Sequence, residues 1–202
     1  TAGNVIANGL GANILLNSGQ TLTVNSAISA AGDLVTATAA AAINGTGSIT
    51  AGALQAQATG AIGSVADPFD TAILNLNIPG AQSAFLSNTG GVAISAITLG
   101  GGSTLSLRAT GGIQDDGDAG VDITAQTVTL AGASIGNAGT LETNIPGTLT
   151  LDTTGGSGPV DVNNGASVAL AQLNLISANS TDDFTVVATG GNTITLLGGV
   201  LS

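Results

Sequence analysis

The chain has 202 residues and contains no cysteine, histidine, methionine, tryptophan, tyrosine or lysine; its one basic residue is Arg108. Without histidine or cysteine, the common nucleophile–base pairs and the ordinary zinc and copper ligands are missing. Without lysine, neither a Schiff base nor a Walker-type phosphate site is available. The remaining chemistry rests on carboxylates, hydroxyls, amides and one guanidinium group. The lack of cysteine also removes any disulfide evidence for a cellular compartment.

Basic charge is nearly absent: 12 acidic residues stand against 1 basic residue, for a formal net charge of -11. A nucleic-acid-binding protein needs clustered Lys or Arg to neutralise phosphates. We therefore expect no nucleic-acid partner, and anionic membrane surfaces are excluded for the same reason.

Long apolar runs are also missing, although 43% of the residues are hydrophobic and the mean hydropathy is +0.50. Gly, Asn, Thr or Asp interrupts every apolar stretch well before the ~18 residues of a membrane helix. Only 6% of residues are charged, which argues against ordinary disorder. The first residues, TAGNVIANGL, do not read as a signal peptide and lack an initiating Met, so we expect a mature chain or a piece of a longer one.

The chain resembles itself at offsets of 70 to 79 residues. LLNSGQTLTV (15–24) is similar to FLSNTGGVAI (85–94) and to DVNNGASVAL (161–170), and LSLRATGG (105–112) is similar to FTVVATGG (184–191). This internal similarity predicts one domain over 1–202, built from degenerate repeat units at about 14–84, 85–159 and 160–202, of which the last is incomplete.

Within each unit, apolar residues alternate with small polar ones, as in Leu74/Leu76, Leu105/Leu107 and Leu149/Leu151. This period of two predicts short strands separated by Gly, Asn and Asp turns, and helix signals are nearly absent. Two all-β folds are compatible with the pattern. A sandwich usually contains aromatic core residues, and only 1% of this chain is aromatic. A parallel β-helix explains more, because like residues then stack on successive coils, with about eight or nine coils of roughly 20–25 residues.

The segments GAIGSVADPFDT, LSLRATGGI, TVTLAGASIG, VDVNNGASVAL and ITLLGG resemble the repeat regions of large secreted bacterial exoproteins of the filamentous haemagglutinin and adhesin kind. The resemblance covers about Ile14 to Leu197. It implies a right-handed parallel β-helix, a location at the bacterial cell surface, and a role as a stalk or adhesive fibre. It also implies export through an outer-membrane secretion partner. The Asn-Pro-Asn-type motifs of the family's secretion domain are missing, which indicates an internal segment.

The acidic stretch LRATGGIQDDGDAGVD (107–122) contains the candidate metal ligands Asp116, Asp118 and Asp122. Oxygen-rich loops with glycine hinges bind calcium, which takes about 6–8 oxygen ligands. The spacing matches the D-x-[DN]-x-[DN]-G loop only in part, because no glutamate closes it and Gly120 stands where a third ligand is expected. The alternative is a solvated insertion between coils, in which acidic groups oppose edge-to-edge aggregation.

Close acidic pairs, Asp67/Asp70 and Asp182/Asp183, raise the alternative of a polysaccharide-cleaving enzyme, since two carboxylates can hydrolyse glycosides. A sugar cleft usually has aromatic platforms and Arg or Lys clamps, and this chain has neither Trp nor Tyr. We therefore expect no enzymatic activity and interpret these acids as turn residues. Phe69, Phe85 and Phe184 are expected to fill the core.

The sequence thus predicts a non-enzymatic stalk or adhesin segment outside the cell, with no resident cofactor except the possible calcium ion. The expected partners are further repeats of the same chain, stacked copies of it, and a host or cell-surface receptor or glycan. A self-assembling extracellular filament is the second hypothesis. The final GGNTITLLGGVLS ends within a strand pattern without a polar cap, which favours further coils or a stacked copy beyond it.

Overall fold

The computed structural model describes residues 5–6, 11–137, 139–153, 156, 158–174 and 184–196. These residues form strands and turns; none of them belongs to a helix that could cross a membrane. The strands are β1 (Val5–Ile6), β2 (Ile14–Ser18), β3 (Leu22–Thr23), β4 (Ile28–Ala39), β5 (Ile43–Asn44), β6 (Ser48–Ala58), β7 (Ala61–Ile62), β8 (Phe69–Ala81), β9 (Ser83–Asn88), β10 (Val92–Leu99), β11 (Thr104–Ala109), β12 (Ile113–Asp115), β13 (Ile123–Thr124), β14 (Thr127–Ala131), β15 (Leu141–Asn144), β16 (Thr148–Asp152), β17 (Val160–Asn164), β18 (Val168–Asn174), β19 (Phe184–Ala188) and β20 (Ile194–Leu196).

Successive strands alternate between two stacks of parallel strands. The first stack contains β3, β5, β7, β9, β11, β14, β16, β18 and β20. The second contains β2, β4, β6, β8 and β10, and then β12 with β13, β15, β17 and β19. Strands of each turn pair with the equivalent strands of the next turn, and the two stacks meet where Phe69–Thr71 of β8 pair with Leu86–Asn88 of β9. This arrangement is the predicted parallel β-helix, or β-solenoid, and not a sandwich of antiparallel sheets.

Aliphatic side chains form continuous columns inside the solenoid. One column in the first stack contains residues 19 to 23 positions apart: Leu22, Ile43, Ile62, Ala84, Leu105, Val128 and Leu149. All of them except Leu22 are buried. Because parallel strands lie about 4.8 Å apart, each of these side chains packs on the one below it. The core therefore runs along the axis of the solenoid.

Each stack contains nine successively paired strands, so the number of turns is close to the eight or nine predicted. The right-handed sense of the coil stays a prediction.

Side chains that point outward are mainly small and polar, and they stack in the same way. Ser106, Thr129 and Thr150 are successive partners on β11, β14 and β16. Leu74 is an exception, with 66% of its side chain exposed, whereas Leu76 on the same strand is 1% exposed. The pleat normally turns residues two apart to the same face, but here Leu74 and Asn75 are both exposed, so the alternation breaks between Ile73 and Leu76. The predicted inward position is therefore confirmed for Leu76 and wrong for Leu74.

The predicted core role of the phenylalanines is confirmed for Phe69, which is 1% exposed. Phe85 is only half-buried, because it alternates with the buried residues Ala84 and Leu86 on β9 and so points to the other face. The prediction of a core position for Phe85 is therefore wrong. The side chain of Phe184 lies outside the described residues.

The buried amide of Asn88 closes one corner of the coil. Asn88 Oδ1 accepts hydrogen bonds from Thr71 Oγ1 at 2.9 Å and from the backbone N–H of Ile73 at 3.0 Å. Its Nδ2 donates to the carbonyl of Ile73 at 3.3 Å and to those of Gly90 and Gly91. The side chain thereby satisfies backbone groups that would have no partner where the strand turns.

Candidate functional site: a buried carboxylate cluster

The acidic loop lies between β12 and β13 and interrupts a strand that is continuous in the preceding turn. On that turn, Ile94 of β10 pairs with Asp115, and Ile97 of the same strand pairs with Ile123. Two residues separate Ile94 from Ile97, whereas seven separate Asp115 from Ile123. The loop is thus a five-residue insertion that leaves the wall of the solenoid and returns to it, with Asp115 and Asp122 at its two ends.

Asp115 occupies a position that preceding turns fill with aliphatic side chains. The column runs through Ile14, Val35, Leu54, Leu76 and Ile94 before it reaches Asp115. Asp115 stands two residues after the buried residue Ile113 on β12, and residues two apart on a strand share a face. Asp115 therefore points inward, and it is 9% exposed. A carboxylate at this position has lost most of its hydration, which is costly unless another group compensates its charge.

Asp122 is held in place by the turns on both sides of it. The backbone N–H of Ile97 donates to the carbonyl oxygen of Asp122 at 2.6 Å, and the N–H of Asp122 donates to the carbonyl oxygen of Glu142 at 2.8 Å. The N–H of Glu142 donates in turn to Asp122 Oδ2 at 2.7 Å. Since Ile123 pairs with Thr143, Glu142 follows Asp122 in the same column, one turn further on.

These three acidic residues converge on one point. One carboxylate oxygen from each of Asp115, Asp122 and Glu142 lies within 4.8 Å of those of the other two. Each of the three also has a buried oxygen that accepts no hydrogen bond: Asp115 Oδ1, Asp122 Oδ1 and Glu142 Oε2. Asp122 is only 1% exposed. Three acidic groups therefore share a nearly dry space, and each has an oxygen without a partner. We call these residues the carboxylate cluster.

The surroundings of Asp122 oppose its ionisation. Burial raises the pKa of Asp122 from 3.8 to about 7, the hydrogen bond from the Glu142 N–H opposes the rise, and the nearby charges of Asp115, Glu142 and Asp116 add to it. The Asp122 carboxyl therefore holds a proton to nearly neutral pH.

Gly139 packs against the carboxylate cluster. A Cβ atom added at Gly139 would overlap Asp115 Oδ2 and would lie 3.2 Å from Asp115 Cγ. A glycine at this position leaves room for the carboxylate of Asp115, and any larger side chain would displace it.

The structure brings only Asp122, of the three predicted calcium ligands, into the carboxylate cluster. Asp116 and Asp118 are exposed on the loop. The N–H of Asp118 donates to Asp116 Oδ1 at 3.2 Å, and the N–H of Gly120 donates to Asp118 Oδ1. Such bonds from a carboxylate to the backbone two residues further on are typical of Asp in turns.

Sequence reasoning missed Asp115 and Glu142 as members of the cluster. Two signals point to them. Asp115 stands two residues after Ile113, and therefore on the inward face of a strand. Glu142 follows Asp122 by 20 residues, which is close to the length of one turn. Both signals depend on treating the sequence as stacked turns and not as a linear loop motif.

The acidic pairs considered for polysaccharide cleavage have other surroundings. Asp67 and Asp70 are exposed. Asp67 belongs to a tight turn, in which its N–H donates to Ser64 Oγ at 3.0 Å and its carbonyl oxygen accepts from the Ser64 N–H at 3.0 Å. The pair Asp182/Asp183 lies outside the described residues.

An open groove of about 840 Å³ crosses five successive turns on one face of the solenoid. It is lined by residues 17–19, 38–40, 57–59, 79–82 and 98–101. Among the described residues that line it, there is no carboxylate and no aromatic side chain, and the polar groups are amides and hydroxyls such as those of Asn17, Gln57 and Gln82. The groove offers hydrogen-bonding groups but no pair of carboxylates for glycoside hydrolysis.

Parallel pairing of successive turns, an axial aliphatic core and stacked outer side chains define a β-solenoid repeat protein. Comparisons with protein-family models, with curated proteins and with solved structures found no match to this chain.

Proposed function

We propose that this chain is a non-enzymatic structural segment of a secreted bacterial surface exoprotein, of the haemagglutinin-like adhesin kind, serving as a stalk or an adhesive rod. The observation that supports this proposal best is the uninterrupted aliphatic column from Leu22 to Leu149, flanked by parallel strand pairing between successive turns.

The bonds between successive turns would make the solenoid resistant to bending. Each strand is bonded to a strand of the turn before and of the turn after, so bending the solenoid would break ladder hydrogen bonds and open the core together. At about 4.8 Å per turn, the nine paired strands of the first stack span roughly 38 Å. A stiff rod suits a segment that holds other parts of a protein away from a cell.

The adhesive role is assigned to the groove across five turns. Its amides and hydroxyls suit the hydroxyl groups of a neutral glycan, and the groove contains no charge that would require a charged partner. The test is binding of fluorescent beads coated with the chain to cells and to glycan arrays. We expect Gln82→Arg, in the groove, to reduce bead binding at least severalfold. Gln126→Arg, an exposed position outside the groove, is the matched control and is expected to bind as the original chain does.

Electron microscopy and incubation with polysaccharide panels separate the alternatives. Short single rods from the purified chain support the stalk or adhesin segment. Long uniform fibres would replace it by the self-assembling filament. Release of sugars from any polysaccharide, retained after repurification, would overturn the non-enzymatic proposal.

A further inference from the structure

We propose that Asp115, Asp122 and Glu142 bind one calcium ion, which ties the base of the acidic loop to the next turn of the solenoid. This site differs from the exposed loop site that the spacing of Asp116 and Asp118 suggests. It also goes beyond the proposed stalk or adhesin role, since it concerns how the rod is held together.

No positive charge compensates the acidic groups of the carboxylate cluster among the described residues. Two of its side chains are at least nine-tenths buried, Asp122 at 1% and Asp115 at 9% exposed, and each has an oxygen without a hydrogen-bond donor. Buried acidic groups are normally paired or bound to a metal. Arg108, the one basic residue of the chain, is exposed on β11 and is not part of the cluster. A cation would supply the missing charge and would occupy the unpaired oxygens.

The spacing of the cluster oxygens suits a calcium ion, because all three lie within 4.8 Å of one another. Three oxygens spread evenly around a calcium ion, at 2.3–2.6 Å each, are about 4.0–4.5 Å apart, which is inside this limit. Magnesium, at 2.0–2.1 Å and with near-ideal octahedral geometry, would require the three oxygens to lie closer together than calcium does. A set of oxygen ligands without nitrogen or sulfur also favours calcium over zinc.

The column above the cluster offers a further oxygen ligand. Asn163 pairs with Glu142 on the following turn, and its Oδ1 is also buried without a hydrogen-bond partner. Water molecules and loop carbonyls would complete a sphere of about 6–8 oxygens. In this arrangement Asp115 and Asp122 come from one turn and Glu142 from the next.

The ion would crosslink two turns of the second stack at the point where the strands are interrupted. The insertion divides the strand into β12, with 3 residues, and β13, with 2 residues, where the preceding turn has β10 with 8 residues. Fewer ladder bonds hold the interrupted turn, and a cation bound between Asp122 and Glu142 would join it to its neighbour. Repulsion between stacked carboxylates would then become attraction through the ion.

The test treats the whole chain with a chelator, removes the chelator and titrates the chain with calcium. Calorimetry measures the heat of binding, and thermal unfolding measures the change in Tm. We expect one calcium ion bound per chain. At a calcium concentration one hundred times the Kd, the Tm should rise by about 5–10 °C, and the same concentration of magnesium should raise it less.

Three variants locate the site. Asp122→Asn and Glu142→Gln should each abolish the binding heat and the rise in Tm. The matched control is the double variant Asp116→Asn with Asp118→Asn, which removes the two exposed loop carboxylates and should keep both. Circular dichroism checks that each variant is folded, and Glu142→Gln, on a less buried residue, tests the proposal if Asp122→Asn does not fold.

The proposal is overturned if the original chain shows neither heat nor a rise in Tm with calcium. It is equally overturned if the Asp116/Asp118 double variant loses binding while Asp122→Asn and Glu142→Gln retain it, because calcium would then bind on the exposed loop.

Discussion

Asn164 and Asn88 make equivalent hydrogen bonds at two corners of the solenoid. Asn164 Oδ1 accepts from Thr143 Oγ1 at 2.9 Å and from the N–H of Ile145 at 2.8 Å, and Asn164 Nδ2 donates to the carbonyl of Ile145 at 3.0 Å. Asn88 makes the same three kinds of bond, to a Thr and to the residue two positions after it. The two asparagines thus act as equivalent corner braces, and each connects neighbouring turns through backbone groups.

Replacing Asn164 by Ala should destabilise the protein by about 2–4 kcal/mol, because the buried N–H and carbonyl of Ile145 lose their bonds to the side-chain amide. Urea unfolding measures the change. In the presence of a chelator, Asn163→Ala is the matched control, since Asn163 Oδ1 has no hydrogen-bond partner, and it should change the stability by less than about 0.5 kcal/mol. Equal effects of the two substitutions would show that Asn164 is not a brace.

The two leucines of β8 give a direct test of which face is the core. Leu76→Ala should cost about 2–5 kcal/mol, because it opens a cavity in the axial column. Leu74→Ala, on the exposed face two residues away, should cost less than about 0.5 kcal/mol. Both values come from chemical denaturation at one pH. A larger effect at Leu74 would contradict the break in alternation that exposes Leu74 and buries Leu76.

Gly45 marks a corner at which only glycine fits. Its φ is +123°, and a Cβ atom there would overlap the carbonyl oxygen of Val24 on the preceding turn. We expect Gly45→Ala to lower the stability by more than about 2 kcal/mol, through backbone strain and steric overlap. Gly19→Ala is the control, because nothing lies within 4 Å of its added Cβ, and it should be neutral. The thermal midpoints of the two variants are compared, and similar midpoints would contradict the corner geometry.

The raised pKa of Asp122 predicts how stability depends on pH in the presence of a chelator. The unfolded chain releases this proton near pH 3.8, whereas the folded chain keeps it to about pH 7. Between these values the folded state binds more protons, so the contribution of Asp122 to stability is greatest below about pH 4 and is lost as pH rises to about 7.

The measurement compares the original chain with Asp122→Asn by urea unfolding from pH 4 to pH 8. We expect the original chain to lose up to about 4 kcal/mol relative to the variant over this range, because each unit of pKa shift corresponds to about 1.4 kcal/mol. Asp116→Asn is the control and should follow the original chain. Parallel curves for the original chain and Asp122→Asn would show that Asp122 ionises normally.

Much of the fold could be predicted because it depends on local patterns that repeat. The alternation at Leu105/Leu107 and Leu149/Leu151 fixes which face of each strand is buried, and the stacked threonines follow from the same period. The relation between the similar segments could not be predicted in this way. Segment 85–88 lies on β9, which pairs with β8 and β11, whereas segment 161–164 lies on β17, which pairs with β15 and β19. The boundaries of the repeat units stay a prediction.

The candidate site could also be predicted only in part from the sequence. Sequence reasoning placed a metal site in the acidic stretch, and it chose Asp116, Asp118 and Asp122 because they are close along the chain. Distance along the chain is a poor guide in a solenoid, since residues one turn apart are only about 4.8 Å apart in space. The pairing of Ile123 with Thr143 brings Glu142 to Asp122, and the five-residue insertion brings Asp115 to the same point.

The amino-acid sequence by itself determined the class of fold and the exclusion of most catalytic chemistry, because strand alternation, turn residues and missing side-chain types are properties of the chain alone. Only the tertiary structure decided which carboxylates meet and which asparagines brace the corners. Those contacts depend on the alignment of one turn with the next, and an insertion of a few residues changes that alignment without changing the local pattern.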